Sequence, residues 1–166
     1  SGTGTSTLTF SYTVTAGNTS AGLDYTATSA LALNGATITD LATNAATLTL
    51  ATPGAANSLG SNKALIIDTT APTLGPISAV AGSTKTNIFN GTTNDNSTIV
   101  TVKVYAGNTP TGTAVATFTP TPSGGSYTCT TAFKELSGNS TYTVQATQID
   151  AAGNISNQPF VTFTAN

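Results

Sequence analysis

The sequence contains no histidine, no methionine and no tryptophan, and it has a single cysteine. Histidine is the commonest general base in enzymes and a frequent metal ligand, so its absence removes most familiar catalytic and transition-metal sites. No Gly-x-Ser-x-Gly elbow or phosphate-binding glycine loop is present either. Two carboxylates can hydrolyse a glycoside, but no pair here is flanked by aromatic residues on which a sugar would stack. We therefore expect that the protein is not an enzyme.

Charged residues are also scarce, with four Lys or Arg and six Asp or Glu among 166 residues and a net charge of −2. Globular proteins are typically about a quarter charged. A chain without a basic patch has little with which to neutralise phosphates, which argues against nucleic-acid binding. No apolar run reaches about 18 residues, the length that indicates a membrane-spanning helix. Structural and adhesive roles are the classes that remain.

The one cysteine, Cys129, has no partner for a disulfide within the chain. In the stretch GGSYTCTTAF it shares a parity with Tyr127 and Phe133, so in a strand all three side chains would point to the inner face. A small buried hydrophobic side chain is the favoured interpretation, over a reactive or intermolecular thiol.

Threonine is the most abundant residue, with 38 copies, accompanied by 15 serines and 16 glycines. Threonine favours strands because its branched Cβ packs well on a pleated surface, whereas helix faces are built mainly from straight-chain residues that are rare here. The composition predicts an all-β protein. A Thr-rich, Lys-poor surface also favours an exported one.

Alternating apolar residues are clearest near the start, in STLTFSYTVTAG. One face of this segment carries Leu8, Phe10, Tyr12 and Val14, and the other carries hydroxyl side chains. A period of two over about nine residues predicts a half-buried strand. Shorter strands are predicted over residues 36–41, 46–51 and 63–68.

The second half of the chain has seven segments of the same kind. They span residues 75–82, 86–93, 97–107, 113–120, 125–133, 140–150 and 158–165. About seven short strands with turns every 8 to 12 residues predict an immunoglobulin-like β-sandwich. The inward positions are predicted to be Val100, Val102, Val104, Tyr142, Val144 and Ala146. In LSGNSTY, Leu136 to Tyr142, the spacing also resembles a tyrosine corner, with an ordinary core tyrosine as the alternative.

Two long stretches resemble the tandem immunoglobulin-like repeats of very large bacterial surface and adhesin-type proteins. They are TLTFSYTVTAGNTSAGLDYTATSALALNGATITD, followed later by IIDTTAPT, and GSYTCTTAFKELSGNSTYTVQATQIDAAGNISN. The most specific elements are IDTTAPT, Ile67 to Thr73, which joins one repeat to the next in such proteins, and DAAGN, Asp150 to Asn154, in the last hairpin. The resemblance implies extended, non-enzymatic stalks and adhesins of the bacterial exterior, often with calcium at repeat junctions.

The stretch LIIDTTAPTLGPI marks a boundary between two predicted domains, 1–71 and 72–166. Asp68, Pro72 and Pro76 form the predicted joint, and two prolines with fixed φ favour a semi-rigid crossing over a floppy linker. The second domain has the seven strands of a complete sandwich, whereas the first has four or five. The predicted fold is therefore a tandem of immunoglobulin-like sandwiches, the first of which lacks its N-terminal strands.

An incomplete sandwich exposes unpaired edges and an apolar face, which favour pairing with other strands. The candidate assembly face is Leu8, Phe10, Tyr12 and Val14. Three explanations stay open: the chain is an excerpt of a longer protein, a neighbouring copy completes the first domain by β-augmentation, or that domain is small and self-contained. The expected partners are thus neighbouring immunoglobulin-like domains, from the same polypeptide or from adjacent copies.

The acidic residues offer one class of candidate site. Calcium takes several oxygen ligands, and Asp68 at the joint and Asp150 with Asn154 in the last hairpin are the best candidates. The alternative for Asp150 and Asn154 is turn geometry, since Asp can accept a hydrogen bond from the backbone two residues on, and Gly and Asn tolerate a left-handed conformation. The stretch from Asp40 to Asn44 has the same spacing, as expected if both are hairpin turns. The turn interpretation is the favoured one.

These observations predict a structural subunit or segment of an extracellular bacterial stalk or filament at the cell surface, with mechanical spacing or assembly as its function. The alternative is an adhesin module that recognises a glycan or protein through its end loops. No cofactor is expected with certainty, and calcium is the possible one.

Overall fold

The computed structural model describes residues 4–81, 86–132 and 139–165. It divides into two compact units, which we call unit 1, Ser1–Thr69, and unit 2, Thr70–Asn166. Regular structure in the described residues consists of seven strands and one helix of four residues. The prediction of an all-β protein is therefore confirmed.

Unit 2 is a sandwich of two antiparallel sheets. Its strands are β1 (Ser78–Ala81), β2 (Thr86–Thr92), β3 (Val100–Ala106), β4 (Ala116–Phe118), β5 (Ser126–Ala132), β6 (Thr141–Gln148) and β7 (Phe160–Thr164). One sheet has the order β1-β2-β5 and the other has the order β4-β3-β6-β7. Each strand lies within a segment where the alternation of apolar and polar residues predicts one.

The core of unit 2 lies between the two sheets. As predicted, the inward residues of β3 and β6 are buried, and they are Val100, Val102, Val104, Tyr142, Val144 and Ala146. Phe89 of β2 is also fully buried, and its ring centroid lies 5.3 Å from that of Phe163 on β7 in an edge-on arrangement. This contact joins the two sheets. Complete burial of one such side chain stabilises the fold by roughly 1.5–3 kcal/mol.

Strand β5 contributes Tyr127 and Cys129 to the same core. Burial raises the pKa of the Cys129 thiol to about 11, so the interpretation as a buried hydrophobic residue is confirmed. Tyr127 pairs with Gly91 across the sheet, and a Cβ at that glycine would collide with the tyrosine hydroxyl. The hydroxyl is buried without a hydrogen-bond partner in the described chain. Phe133 lies outside the described residues, as do residues 136–138 of the predicted tyrosine corner.

Unit 1 differs from what the alternation predicts. Between residues 4 and 69 the structure contains one short helix, α1 (Leu59–Asn62), and two isolated antiparallel bridges, but no hydrogen-bonded strand. The predicted strands over 36–41, 46–51 and 63–68 are therefore wrong as strands, and so is the half-buried strand around Phe10. A period-two pattern specifies which face could be buried, but a strand forms only where another segment supplies its hydrogen-bond partners. All the buried hydrophobic residues of the described chain belong to unit 2.

Unit 1 is held mainly by polar contacts to the backbone. The two bridges join Ser20 to Ile67 and Thr39 to Ala45. The Tyr25 hydroxyl donates to the backbone oxygen of Ala51 at 2.7 Å. The Ser20–Ile67 bridge and the Tyr25–Ala51 bond connect segments that are distant in sequence, whereas the Thr39–Ala45 bridge closes a local turn. None of these contacts buries a hydrophobic core among the described residues.

Candidate functional site

The DAAGN segment of unit 2 forms a self-contained turn. Asp150 Oδ1 accepts hydrogen bonds from the backbone N–H groups of Ala152 at 2.9 Å and Asn154 at 2.8 Å. Its other oxygen, Oδ2, accepts from the side-chain amide of Asn154 at 2.8 Å. The backbone N–H of Asp150 closes the turn by donating to the Asn154 carbonyl oxygen at 3.1 Å. The structure thus brings this predicted pair together through hydrogen bonds made inside one turn.

The DLATN segment of unit 1 repeats this turn contact for contact. Asp40 Oδ1 accepts from the backbone N–H groups of Ala42 and Asn44, both at 2.9 Å, and Oδ2 accepts from the Asn44 side-chain amide at 2.8 Å. The left-handed position of the turn is Thr43 here, with φ 69°, and Gly153 in unit 2, with φ 91°. The repeated geometry supports equivalent hairpin turns in the two units.

These contacts account for the electrostatics of both aspartates. The side-chain hydrogen bond from Asn154 is the largest cause that holds the pKa of Asp150 below its ordinary value, and Asn44 acts in the same way on the pKa of Asp40. A carboxylate that already accepts three hydrogen bonds has fewer lone pairs free for a cation. No group of three or more acidic, His or Cys residues that could hold a metal occurs in the described ranges. Calcium binding at Asp150 and Asn154 stays a prediction.

The joint residues belong to different units. Asp68 lies in unit 1 beside a shallow depression lined by Thr19, Ser20 and Ile67, among others. The next residue, Thr69, is fixed within unit 1, because its hydroxyl oxygen accepts from the Gly17 N–H at 3.0 Å and its hydroxyl donates to the Asn18 carbonyl at 3.1 Å.

Unit 2 holds the chain from Thr73 onward. The Thr73 N–H donates to Asn94 Oδ1 at 2.8 Å, and the Gly75 N–H donates to the Thr92 carbonyl at 3.0 Å. Pro72 and Pro76 both belong to unit 2; Pro72 is buried just before these bonds, and Pro76 follows them. Three residues, 70–72, separate the contacts of Thr69 from those of Thr73.

Leu74, which lies between Thr73 and Gly75, is hydrogen-bonded to Asn157, a residue near the C-terminal end of unit 2. Its backbone N–H donates to Asn157 Oδ1 and its carbonyl oxygen accepts from Asn157 Nδ2, both at 2.7 Å. One amide side chain therefore satisfies both backbone groups of Leu74. No local pattern in the sequence predicts this pair, because the two residues are 83 positions apart.

A second polar contact that sequence reasoning missed centres on Gln148, at the end of β6. Its side chain is buried, its Nε2 donates to the carbonyl oxygens of Asp95 and Thr98 at 2.9 Å, and its Oε1 accepts from the Thr93 hydroxyl. The signal was present, since Gln148 continues the inward parity of Val144 and Ala146. A polar residue at an inward position indicates a buried hydrogen-bond network.

The candidate assembly face of unit 1 is exposed in the structure. Leu8, Phe10, Tyr12 and Val14 are 45%, 74%, 58% and 46% exposed. An open cleft of about 410 Å³ is lined by Leu8 and Phe10 together with Leu31, Leu33 and Ile38, among others. Assembly through this face stays a prediction.

Comparison with known proteins adds little to this picture. No model of a known protein family matches the chain, and no curated protein matches it. One solved structure that matches is the chitinase ChiW of Paenibacillus sp. str. FPU-7, a bacterial cell-surface-expressed multi-modular enzyme, with 14% identity and a TM-score of 0.47. The match covers 60% of this chain and 9% of that one. In the described residues no helix is long and apolar enough to cross a membrane.

Proposed function

We propose that the chain is a non-catalytic segment of an extracellular bacterial stalk or filament built from immunoglobulin-like domains, in which it provides mechanical spacing. The observation that carries this proposal is the placement of the two ends of unit 2. At the entry, Leu74 is bonded to Asn157, whereas at the exit the Ala165 N–H donates to the Ser140 carbonyl at 3.0 Å. The eight residues of β6, about 26 Å of strand, separate these ends.

This placement supports spacing because a domain that is entered at one end and left at the other adds its own length to the polypeptide. The short passage between the units supports it further. Thr69 and Thr73 are both hydrogen-bonded within their own units, so only residues 70–72 lie between those contacts. A short linker that contains proline is stiffer than a flexible Gly/Ser linker and keeps the distance between its two ends more constant.

The side-chain chemistry of the described residues is consistent with a structural role. The carboxylates of Asp40 and Asp150 are engaged in their own turns, and Cys129 is buried. The IDTTAPT and DAAGN segments add the resemblance to bacterial surface repeats, which is an argument by analogy and carries less weight than the geometry. Together they support a location at the bacterial cell surface.

Neighbouring immunoglobulin-like segments are the partners that we propose. The exposed residues Leu8, Phe10, Tyr12 and Val14 support this choice, because an exposed apolar face with strand-like alternation favours strand addition. Sedimentation of the purified chain, compared with that of the Phe10→Ser variant, tests whether the neighbouring segment is a second copy of this chain. Self-association that the substitution abolishes would support a fibre of copies, and a monomer up to high concentration would exclude it.

Spacing is tested by measuring length. One, two or three copies of the chain are displayed on bacteria between a surface anchor and an epitope tag, and the height of the tag is measured by super-resolution microscopy. We expect the height to grow in proportion to the number of copies. A Gly/Ser linker with the same number of residues is the control. Its end-to-end distance is roughly 65–75 Å for one copy and grows only with the square root of the number of copies.

The two dependences separate clearly at three copies, where the height rises threefold for a spacer and about 1.7-fold for a flexible coil. Growth of the tag height along the flexible-coil curve would refute mechanical spacing. Saturable binding of the isolated chain to a glycan or protein, without growth in height, would support the adhesin alternative instead.

A further inference from the structure

The first and last strands of unit 2 are both edge strands, and each is attached along its length to one neighbour. Within the described ranges, β1 pairs with β2 alone and β7 pairs with β6 alone. Hydrogen bonds between antiparallel strands are perpendicular to the strands. A force directed along the strands therefore acts on many of these bonds at once, whereas a force across the sheet would break them one after another.

The positions of the two ends determine which of these cases applies. The segment that leads into β1 begins beside Asn157, and β7 ends beside Ser140, at the opposite end of β6. Tension between the ends of unit 2 thus pulls the first strand and the last strand in opposite directions along their own axes. This arrangement loads the β1–β2 and β6–β7 ladders in shear.

The Leu74–Asn157 contact connects these two terminal segments directly. Both backbone groups of Leu74 are bonded to the same amide at 2.7 Å, and Leu74 itself is 2% exposed. The Asn157 carbonyl oxygen also accepts from the hydroxyl of the preceding residue, Ser156, at 2.6 Å, and Ser156 Oγ accepts from the backbone N–H of Gln148 at the end of β6 at 2.9 Å. Sliding of the first segment past the last one must break this paired contact early.

We propose that Asn157 is a tension clamp, meaning a side chain that delays the forced separation of the first and last strands of unit 2. The inference rests on the proposed spacer function for its biological purpose, but its physical basis is the contact itself. Leu74 is buried whereas Asn157 is exposed, so the paired bonds are shielded from water on the Leu74 side only, and both must break when the segments move apart.

The test is single-molecule force spectroscopy of the full chain held by its two ends. Unfolding of unit 2, 97 residues from Thr70 to Asn166, is identified by a contour-length increase of roughly 350 Å minus the folded end-to-end distance. In Asn157→Ala we expect unfolding at a given force to be about tenfold faster, which corresponds to about 1.4 kcal/mol. The more conservative Asn157→Asp keeps the acceptor for the Leu74 N–H and loses the donor, so we expect a smaller acceleration.

Asn96→Ala is the matched control. Asn96 Oδ1 accepts from the Gly125 N–H at 2.9 Å, so this asparagine also ties side chain to backbone, but between two internal loops. A second control applies the same force through handles at Thr111 and Gly153, which loads a different direction. The clamp requires that Asn157→Ala accelerates unfolding more than Asn96→Ala does, and only when the chain is held by its ends.

Equal acceleration in both pulling directions, or the same effect for the two alanine variants, would overturn the proposal and reduce Asn157 to a stabilising residue. That result would leave the spacer function intact, because the height of a displayed tag does not depend on resistance to force. Conversely, a tag height that grows with copy number as in the Gly/Ser control would refute the spacer function. The force measurement would still decide whether Asn157 acts as a clamp.

Discussion

Replacement of Gln148 by leucine tests the physical account of how unit 2 is held together. The side chain is 1% exposed and makes hydrogen bonds to Thr93, Asp95 and Thr98, all in the loop that follows β2. Leucine has close to the volume of glutamine but cannot form the hydrogen bonds to these three residues. It also leaves the partly buried Thr98 carbonyl oxygen without this donor.

The expected loss follows from these contacts. Each hydrogen bond contributes about 1 kcal/mol net, and a buried polar group left unsatisfied costs roughly 1–3 kcal/mol. In the variant the single proton of the Thr93 hydroxyl is no longer given to Gln148, so this hydroxyl can donate to the Asp95 carbonyl, 3.2 Å away, which limits the loss there. We therefore expect unit 2 to lose about 3–4 kcal/mol, a large part of the roughly 5–15 kcal/mol that typically stabilises a domain.

Hydrogen exchange of the β6 amides, read by mass spectrometry, measures this loss in unit 2 alone. Urea unfolding followed by circular dichroism measures it in the whole chain. Gln145→Leu is the matched control, because Gln145 lies on the opposite, partly exposed face of the same strand. We expect that substitution to change stability by less than about 0.5 kcal/mol. Equal losses for the two variants, or a loss below about 1 kcal/mol for Gln148→Leu, would refute the buried network as a source of stability.

Other substitutions and conditions test separate parts of the structure. Tyr127→Phe removes a buried hydroxyl that lacks a partner among the described residues, so we expect thermal stability to stay constant or rise, and a clear fall in the melting temperature would contradict this. Cys129, with the pKa of its thiol raised to about 11, should react with a thiol reagent only after urea unfolds the chain, and fast labelling of the native protein would contradict its burial. The pKa of Asp150 is lowered in the folded state, so the ionised carboxylate contributes to folding stability above its unfolded pKa, near 3.8, and this contribution is lost as the pH falls through the lower pKa of the folded state. Asp150→Ala should therefore reduce the loss of stability in this acidic range, and a pH–stability curve identical to that of the parent would contradict the prediction. Calcium should raise the melting temperature modestly at most, and Asp68→Ala or Asp150→Ala variants that respond to calcium as the parent does would remove both residues as ligands.

Local sequence was sufficient for the strands of unit 2 and for its turns. The inward positions of β3, such as Val102, could be predicted because alternation alone decides which side chains share a face. The turn at Asp150 could be predicted because its hydrogen bonds join residues at most four positions apart. The burial of Cys129 followed from the same parity argument.

The segment from Leu8 to Val14 shows where this reasoning stops. Its alternation is the clearest in the chain, yet the segment is exposed and forms no ladder within the described part of unit 1. Alternation reports the character of a segment and says nothing about whether another segment lies beside it. The partner of a strand is a property of the tertiary or quaternary structure.

By itself, the sequence determined the all-β class, the absence of histidine chemistry, the inward faces of unit 2 and the two aspartate turns, because each depends on composition or on neighbours along the chain. Only the tertiary structure decided that Asn157 holds Leu74 and that Gln148 holds the loop from Thr93 to Thr98. It also decided that unit 2 begins and ends at opposite ends of β6. These contacts join residues 50 or more positions apart, and only the folded chain brings such residues within hydrogen-bond distance.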